Sequence, residues 1–157
     1  MALFRIVRAS PHSPEETWLR LTTWERHADA VPLTRVTLRT PPPPDTGTGT
    51  GTGTHKGTVF VARSALGPLG FDDTMEVVGW RPPQWCRLEK RGSFITGWAE
   101  IEVHPAGSAG ATVVWREELR IRGLPRRCDR PLAAVARTLF GRAVDNLLTS
   151  PYEKQLP

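Results

Sequence analysis

One acidic residue occupies a position where an apolar one belongs. Over residues 112–121 a period of two puts Val113, Trp115, Leu119 and Ile121 on one face, with Glu117 among them. Thr112, Arg116, Glu118 and Arg120 share the other face with Val114. Such alternation is a strand with one dry side and one wet side. A carboxylate on the dry side is costly unless it is paired, hydrogen-bonded, protonated or open to a wet cavity. Held in a dry cavity, Glu117 has a raised pKa and suits proton transfer or a hydrogen bond to a ligand carbonyl. The alternatives are an internal ion pair, with Arg63 as candidate partner, or a place near the strand end that water reaches.

The other chemistry-bearing residues are sparser. Asp72 and Asp73 are adjacent carboxylates, but neighbours on a strand point to opposite faces, and turn chemistry is the plainer reading. Asn146 falls near the apolar stripe of the last helix, where it offers a hydrogen bond to a ligand or to a neighbouring backbone group. Cys86 and Cys128 are too few for a disulfide framework, and neither has a Cys or His at ligand spacing. His12, His27, His55 and His104 are scattered through loops and helix ends. No metal and no cofactor are expected, and there is no Ser-His-Asp, Cys-His or phosphate-loop pattern. Of the six tryptophans, Trp115 shares the Glu117 face. Trp18 and Trp24 are expected in packing, and Trp80, Trp85 and Trp98 fall on the less apolar parity of their strands.

Composition sets the frame for these residues. The chain has 157 residues, 39% apolar and 24% charged, enough for one domain with a substantial core. No run approaches the roughly 18 apolar residues of a membrane span. The opening Met-Ala-Leu-Phe-Arg-Ile-Val-Arg reads as a strand and not a signal peptide, which points to the cytoplasm. The net charge is +5, and its densest part holds Arg120, Arg122, Arg126, Arg127 and Arg130. Without nucleic-acid motifs or interleaved aromatics, no nucleic-acid partner is expected there. The segment is either a solvated loop or the seat of a phosphate- or carboxylate-bearing partner.

The elements follow from pattern. A strand over residues 3–9 precedes Ser13-Pro-Glu-Glu16, which resembles a capping box opening a helix with Trp18, Leu19 and Leu21. Thr22-Thr-Trp-Glu25 has the same form and starts a second short helix ending by Pro32. Six strands are expected at about 34–40, 57–64, 73–80, 85–90, 95–104 and 112–121. Between the first two of these, four prolines and a strict Thr-Gly alternation make residues 41–56 a disordered loop, because glycine offers nothing to bury and the most backbone entropy to lose. Asp129, Pro131 and Pro151 bracket the longest helix. Leu132, Val135, Ala136, Leu139, Ala143, Asn146 and Leu147 recur along it at helical spacing, widened by Phe140, Val144 and Leu148. Only a curved seven-stranded sheet is long enough to receive that stripe, with Val135, Leu139 and Ala143 toward Trp115 and Leu119.

Several local sequences resemble the SRPBCC superfamily of polyketide cyclases/dehydrases and START-like lipid-transfer proteins. They are Ser13-Pro-Glu-Glu-Thr-Trp18, Gly57-Thr-Val-Phe60, Met75-Glu-Val-Val-Gly-Trp-Arg-Pro-Pro83, Gly97-Trp-Ala-Glu-Ile-Glu-Val-His-Pro105 and Gly110-Ala-Thr-Val-Val-Trp-Arg-Glu117. The resemblance implies an α+β helix-grip fold: an antiparallel sheet wrapped around the C-terminal helix, one domain over residues 1–157, enclosing an apolar cavity. It implies a small hydrophobic ligand such as a lipid or polyketide-like compound. Met75, Val77, Ile101, Val113, Trp115, Glu117, Leu119, Val135, Leu139, Ala143 and Asn146 are the expected lining. A polyketide cyclase or dehydrase using the same cavity, with Glu117 as catalytic group, is one alternative. An interaction protein using an outer surface of Trp80, Trp85 and Trp98 is another. Fold alone does not choose among them.

Overall fold

A computed structural model of the chain describes residues 1–30, 34–40, 53–66 and 69–151. Strand β1 (Ala2–Ser10) leads through a bend into helix α1 (Pro14–Thr22), a 3-10 turn (Trp24–Arg26) and the four-residue helix α2 (His27–Ala30). Six strands follow: β2 (Thr34–Leu38), β3 (Val59–Leu66), β4 (Leu69–Arg81), β5 (Trp85–Arg91), β6 (Ile95–Ala106) and β7 (Gly110–Ile121). A 3-10 turn (Arg126–Cys128) then opens helix α3 (Asp129–Thr149).

All strands pair antiparallel in one sheet, in the order β1-β7-β6-β5-β4-β3-β2. Short hairpins join consecutive strands from β3 to β7, and β2 pairs with β3 across a longer connection. The one long crossover lets β1 close on β7, and α1 and α2 fill that crossover. This is the α+β helix-grip arrangement expected from the pattern.

The helix starts differ in detail from the capping expectation. Ser13 Oγ accepts from the Glu16 amide at 3.2 Å, as a cap should. The Glu16 side chain does not reach back. It accepts from Arg20 at 2.8 Å and lies 3.2 Å from His12 Nδ1. Thr22 and Thr23 cap nothing; their hydroxyls donate to the carbonyls of Trp18 and Leu19, four residues earlier. Asp129 takes the first turn of α3 instead of its cap, and its carboxylate holds the N-terminal ammonium at 2.5 Å.

Residues 41–52 of the expected disordered loop lie outside the described residues. Its last part does pack: Thr54 is buried and its hydroxyl accepts from Trp24 Nε1 at 3.1 Å. The core fills the concave side of the sheet. Phe4 and Ile6 of β1, Ile101 and Val103 of β6, and Val113, Trp115 and Leu119 of β7 are buried there. Leu21 and Trp24 meet them from the crossover, and Ala136, Val144, Leu147 and Leu148 from α3. Each large side chain so buried contributes about 1.5–3 kcal/mol.

Only one side of the expected stripe of α3 packs. Ala136, Ala143, Val144, Leu147 and Leu148 are buried, whereas Val135 is 65% exposed, Leu139 is 38% exposed and Asn146 lies on the exposed side. Phe140 settles the choice of row, stacking on Phe4 at 5.7 Å and meeting Trp115 at 5.9 Å between ring centroids. Adjacent rows of a helix lie about 100° apart, so Val135, Leu139 and Asn146 turn away from the sheet.

Candidate functional site

The dry face of β7 is continued by every strand beside it. Glu117 stands opposite Ala99 on β6 and opposite Phe4 on β1. One register step along, Gly97 stands opposite both Leu119 of β7 and Lys90 of β5. Lys90 therefore shares the inner parity with Cys86 and Leu88, and all three are buried. Between Lys90 and Glu117 stand only a glycine and an alanine, so the two long side chains meet across β6. Gly97 is fixed by more than size: its φ is +139°, and a Cβ there would collide with the Glu118 backbone carbonyl.

Asp73 completes the group. The sequence reading put it at the entrance of β4 with a turn role, but β4 starts at Leu69 and carries Asp73 well inside the strand, on its inner face. Lys90 Nζ donates to Asp73 Oδ2 at 2.7 Å and lies 3.3 Å from Glu117 Oε1. Trp115 Nε1 donates to Glu117 Oε2 at 3.0 Å. The side chains of Lys90, Asp73 and Glu117 are 5%, 10% and 1% exposed, so water screens none of them. Asp73 Oδ1 has no hydrogen-bond partner among the described residues. The expected partner, Arg63, is not there: it is 70% exposed and sits 3.8 Å from Asp72, the outward member of the acidic pair.

One ammonium faces two carboxylates, and their pKa values follow. Burial pushes the Glu117 carboxyl above the usual carboxylate range, against the opposing pull of Lys90 and the Trp115 N–H. Burial alone would lower Lys90; Glu117 and Asp73 outweigh it and hold the ammonium above its ordinary value. Glu117 is thus a carboxyl drawn toward its neutral form within reach of a fixed cation.

His27 flanks the other side of Trp115, with ring centroids 5.9 Å apart. Its Nε2–H donates to the Leu21 carbonyl at 2.8 Å, and burial pushes its pKa down. The ring is therefore neutral near pH 7, with the lone pair on Nδ1.

Of the other expected lining residues, Val77, Ile101, Val113, Trp115, Leu119 and Ala143 are buried and Met75 is half-buried beside Lys90. Val135, Leu139 and Asn146 are not brought to the group. Trp80 reaches the inner face of the sheet, contrary to its parity. A β-bulge between Val77 and Gly79 sets two residues of β4 against Arg87, so Trp80 returns to the inner face opposite Cys86. There it meets Trp18 at 5.0 Å. Trp85 and Trp98 stay outside, each under a guanidinium: Arg81 at 4.7 Å and Arg87 at 4.5 Å. Two surface depressions flank α3. One of about 300 Å³ is lined by Met1, Arg120, Ile121, Leu124, Arg126, Asp129 and Leu132. The other lies along β1. Neither includes a residue expected to line the ligand cavity.

Lys90 is the member of this buried group that sequence reasoning missed. Its signal was present: Cys86, Leu88 and Lys90 alternate with Trp85, Arg87, Glu89 and Arg91, so a lysine stood on the apolar parity.

The fold is similar to that of solved helix-grip structures, a START superfamily protein among them. A START superfamily protein from Mycobacterium smegmatis superposes with a TM-score of 0.72 at 8% identity, covering 94% of this chain and 97% of that one. An aromatase/cyclase from Streptomyces sp. R1128 gives 0.66 at 12%, covering 93% and 90%. Truncated norcoclaurine synthase from Thalictrum flavum gives 0.65 at 12%, covering 96% and 94%. No protein-family model matches the chain, and no curated protein matches its sequence. The likeness is one of architecture.

Proposed function

We propose that this chain is a single binding domain for a small hydrophobic molecule, lipid or polyketide-like, held between the inner face of the sheet and the C-terminal helix. The observation that carries the reading is the Lys90–Asp73–Glu117 group set in an apolar wall. Buried charges in a plain core are weak contributors to stability, because desolvation offsets their attraction. Ligand sites, in contrast, are mostly apolar with a few placed polar groups. The shared fold supports the same reading. A cytoplasmic location is part of it: Cys86 and Cys128 are both free thiols, as reducing compartments keep them.

Catalysis is the second reading, and the convergence of three polar groups favours it over an outer-surface interaction protein. Glu117 with its raised pKa supplies a general acid, and the Lys90 ammonium stabilises charge developing on an oxygen. The outer-surface reading loses its basis, since Trp80 is internal and Trp85 and Trp98 are covered by arginines.

Native mass spectrometry of the purified protein tests the binding reading, together with quenching of tryptophan fluorescence by naphthalene. A co-purified hydrophobic adduct, or saturable quenching that Glu117→Gln alters, is the expected result. A protein with no adduct that also takes up no probe refutes it.

A further inference from the structure

The arginines of this chain fall into two populations. On the outer face of the sheet they are paired: Arg87 with Glu100 at 3.1 Å, Arg116 with Glu102 at 2.8 Å, and Arg91 with Glu76 at 2.6 Å. At the β7–α3 connection they are not. Arg120, Arg122, Arg126, Arg127 and Arg130 are all exposed, and among the described residues none of the five makes an ion pair. The one acidic residue within that stretch, Asp129, is already engaged by the N-terminal ammonium. Five unneutralised cations within eleven residues repel one another and serve no purpose in holding the fold.

Large apolar side chains are exposed at the same end. Leu124 is 38% exposed in the connection itself, and Phe94, at the tip of the β5–β6 hairpin, is 42% exposed. The Arg122 amide donates to the Phe94 carbonyl at 2.9 Å, so the two tips are joined. Phe94 also meets Phe71 of β4 at 5.5 Å. The open depression of about 300 Å³ between β7 and α3 is lined by Arg120 and Arg126 together with Ile121, Leu124 and Leu132. Apolar tips ringed by unpaired arginines have a specific complement. A nucleic acid would meet the arginines and leave Phe94 and Leu124 in water. An acidic protein would need a shaped apolar counterpart for them. An anionic bilayer satisfies both at once: headgroups for the guanidiniums, and the interfacial region for the two tips.

We propose that the end of the molecule formed by the β5–β6 hairpin and the β7–α3 connection docks on an anionic lipid surface, with Phe94 and Leu124 inserted and Arg120, Arg122, Arg126, Arg127 and Arg130 at the headgroups. Lys90 and Asp73 lie toward this same end of their strands. The proposal stands on exposed residues alone and does not need the interior to hold a ligand.

Vesicle co-sedimentation tests it with the whole chain. Vesicles of phosphatidylcholine containing about 30 mol% phosphatidylserine bind the protein at least tenfold more tightly than pure phosphatidylcholine at low salt, and the advantage fades near 0.5 M salt. Arg122→Glu/Arg126→Glu removes most of the binding. Phe94→Ser/Leu124→Ser weakens it several-fold and leaves the remainder wholly salt-sensitive. All four positions are exposed, so thermal melts stay close to those of the parent chain, and a melt that collapses moves the test to the single variants. Equal binding to neutral and anionic vesicles overturns the proposal. So does full retention by the arginine variant, or tighter binding to a short DNA duplex than to anionic vesicles, which would make the patch a general polyanion site.

Discussion

Replacing Lys90 by methionine removes the only cation that the described residues bring to Asp73 and Glu117. At an effective dielectric of about 20, the contacts of 2.7 and 3.3 Å are worth about 6 and about 5 kcal/mol of gross attraction. That sum is not the cost, because the carboxylates have a cheaper route: they take up protons. Glu117 is pushed upward by burial, and without Lys90 it is the carboxylate that takes up the proton. Keeping a glutamic acid neutral at pH 7 costs about 4 kcal/mol against its unfolded value, and that cost falls by about 1.4 kcal/mol for each pH unit below. Lys90→Met is therefore expected to lose up to about 4 kcal/mol at pH 7 and about 1 kcal/mol at pH 5, out of a total of roughly 5–15 kcal/mol. The sign follows from linkage. In the variant, Glu117 has a folded pKa further above its unfolded one, so stability is present at low pH and is lost as pH rises. His27 is the other titrating group against this cluster. Its lowered pKa removes stability as pH falls through its unfolded value, equally in both proteins, and so cancels in the difference. Urea melts of both proteins from pH 5 to 8 measure it, with Lys90→Met/Glu117→Gln as the restoring variant. A penalty that does not change with pH, or one under about 1 kcal/mol at pH 7, shows that the three groups are solvated and refutes the reasoning.

Two further outcomes check the packing that positions the group. Phe140→Ala is expected to cost about 3–5 kcal/mol, because it empties the contact between α3, Phe4 and Trp115. Val135→Ser and Leu139→Ser, on the row the sequence favoured, should stay within about 0.5 kcal/mol. Chemical denaturation separates the rows, and equal losses from both would mean that α3 is rotated from the orientation described. Gly97→Ala is expected to lose at least about 1–3 kcal/mol from backbone strain alone, and to part Lys90 from Glu117. A variant as stable as the parent would show that β6 relaxes there.

The architecture was legible because its signals are periodic and local. The alternation of β7 placed Glu117 on the dry face without any knowledge of its neighbours, and all seven strands stand within a few residues of their expected positions. What escaped depends on pairing. Lys90 announces itself only when β5 is set against β6 and β6 against β7, since its partners lie 17 and 27 positions away in the chain. The role of Asp73 was misread because Gly67, Pro68 and Gly70 look like a long turn, whereas β3 runs to Leu66 and β4 starts at Leu69. On α3, two neighbouring rows are both apolar, and periodicity does not rank them. The ranking comes from Phe140 and the two aromatic rings it meets.

The bulge in β4 has a geometric consequence for the whole interior. Val78 and Gly79 together occupy the space of one residue, so the strand bends there while the side chains before and after keep to the same side. Charged Asp73 lies ahead of the bend, and Trp80, reaching Trp18, lies beyond it. The angle at that joint sets how far apart the two ends of the concave wall stand. A strand one residue shorter at this point would present the same side chains along a straighter line. Capacity in such an interior is thus adjustable by the curvature of a single strand, with every lining residue left as it is.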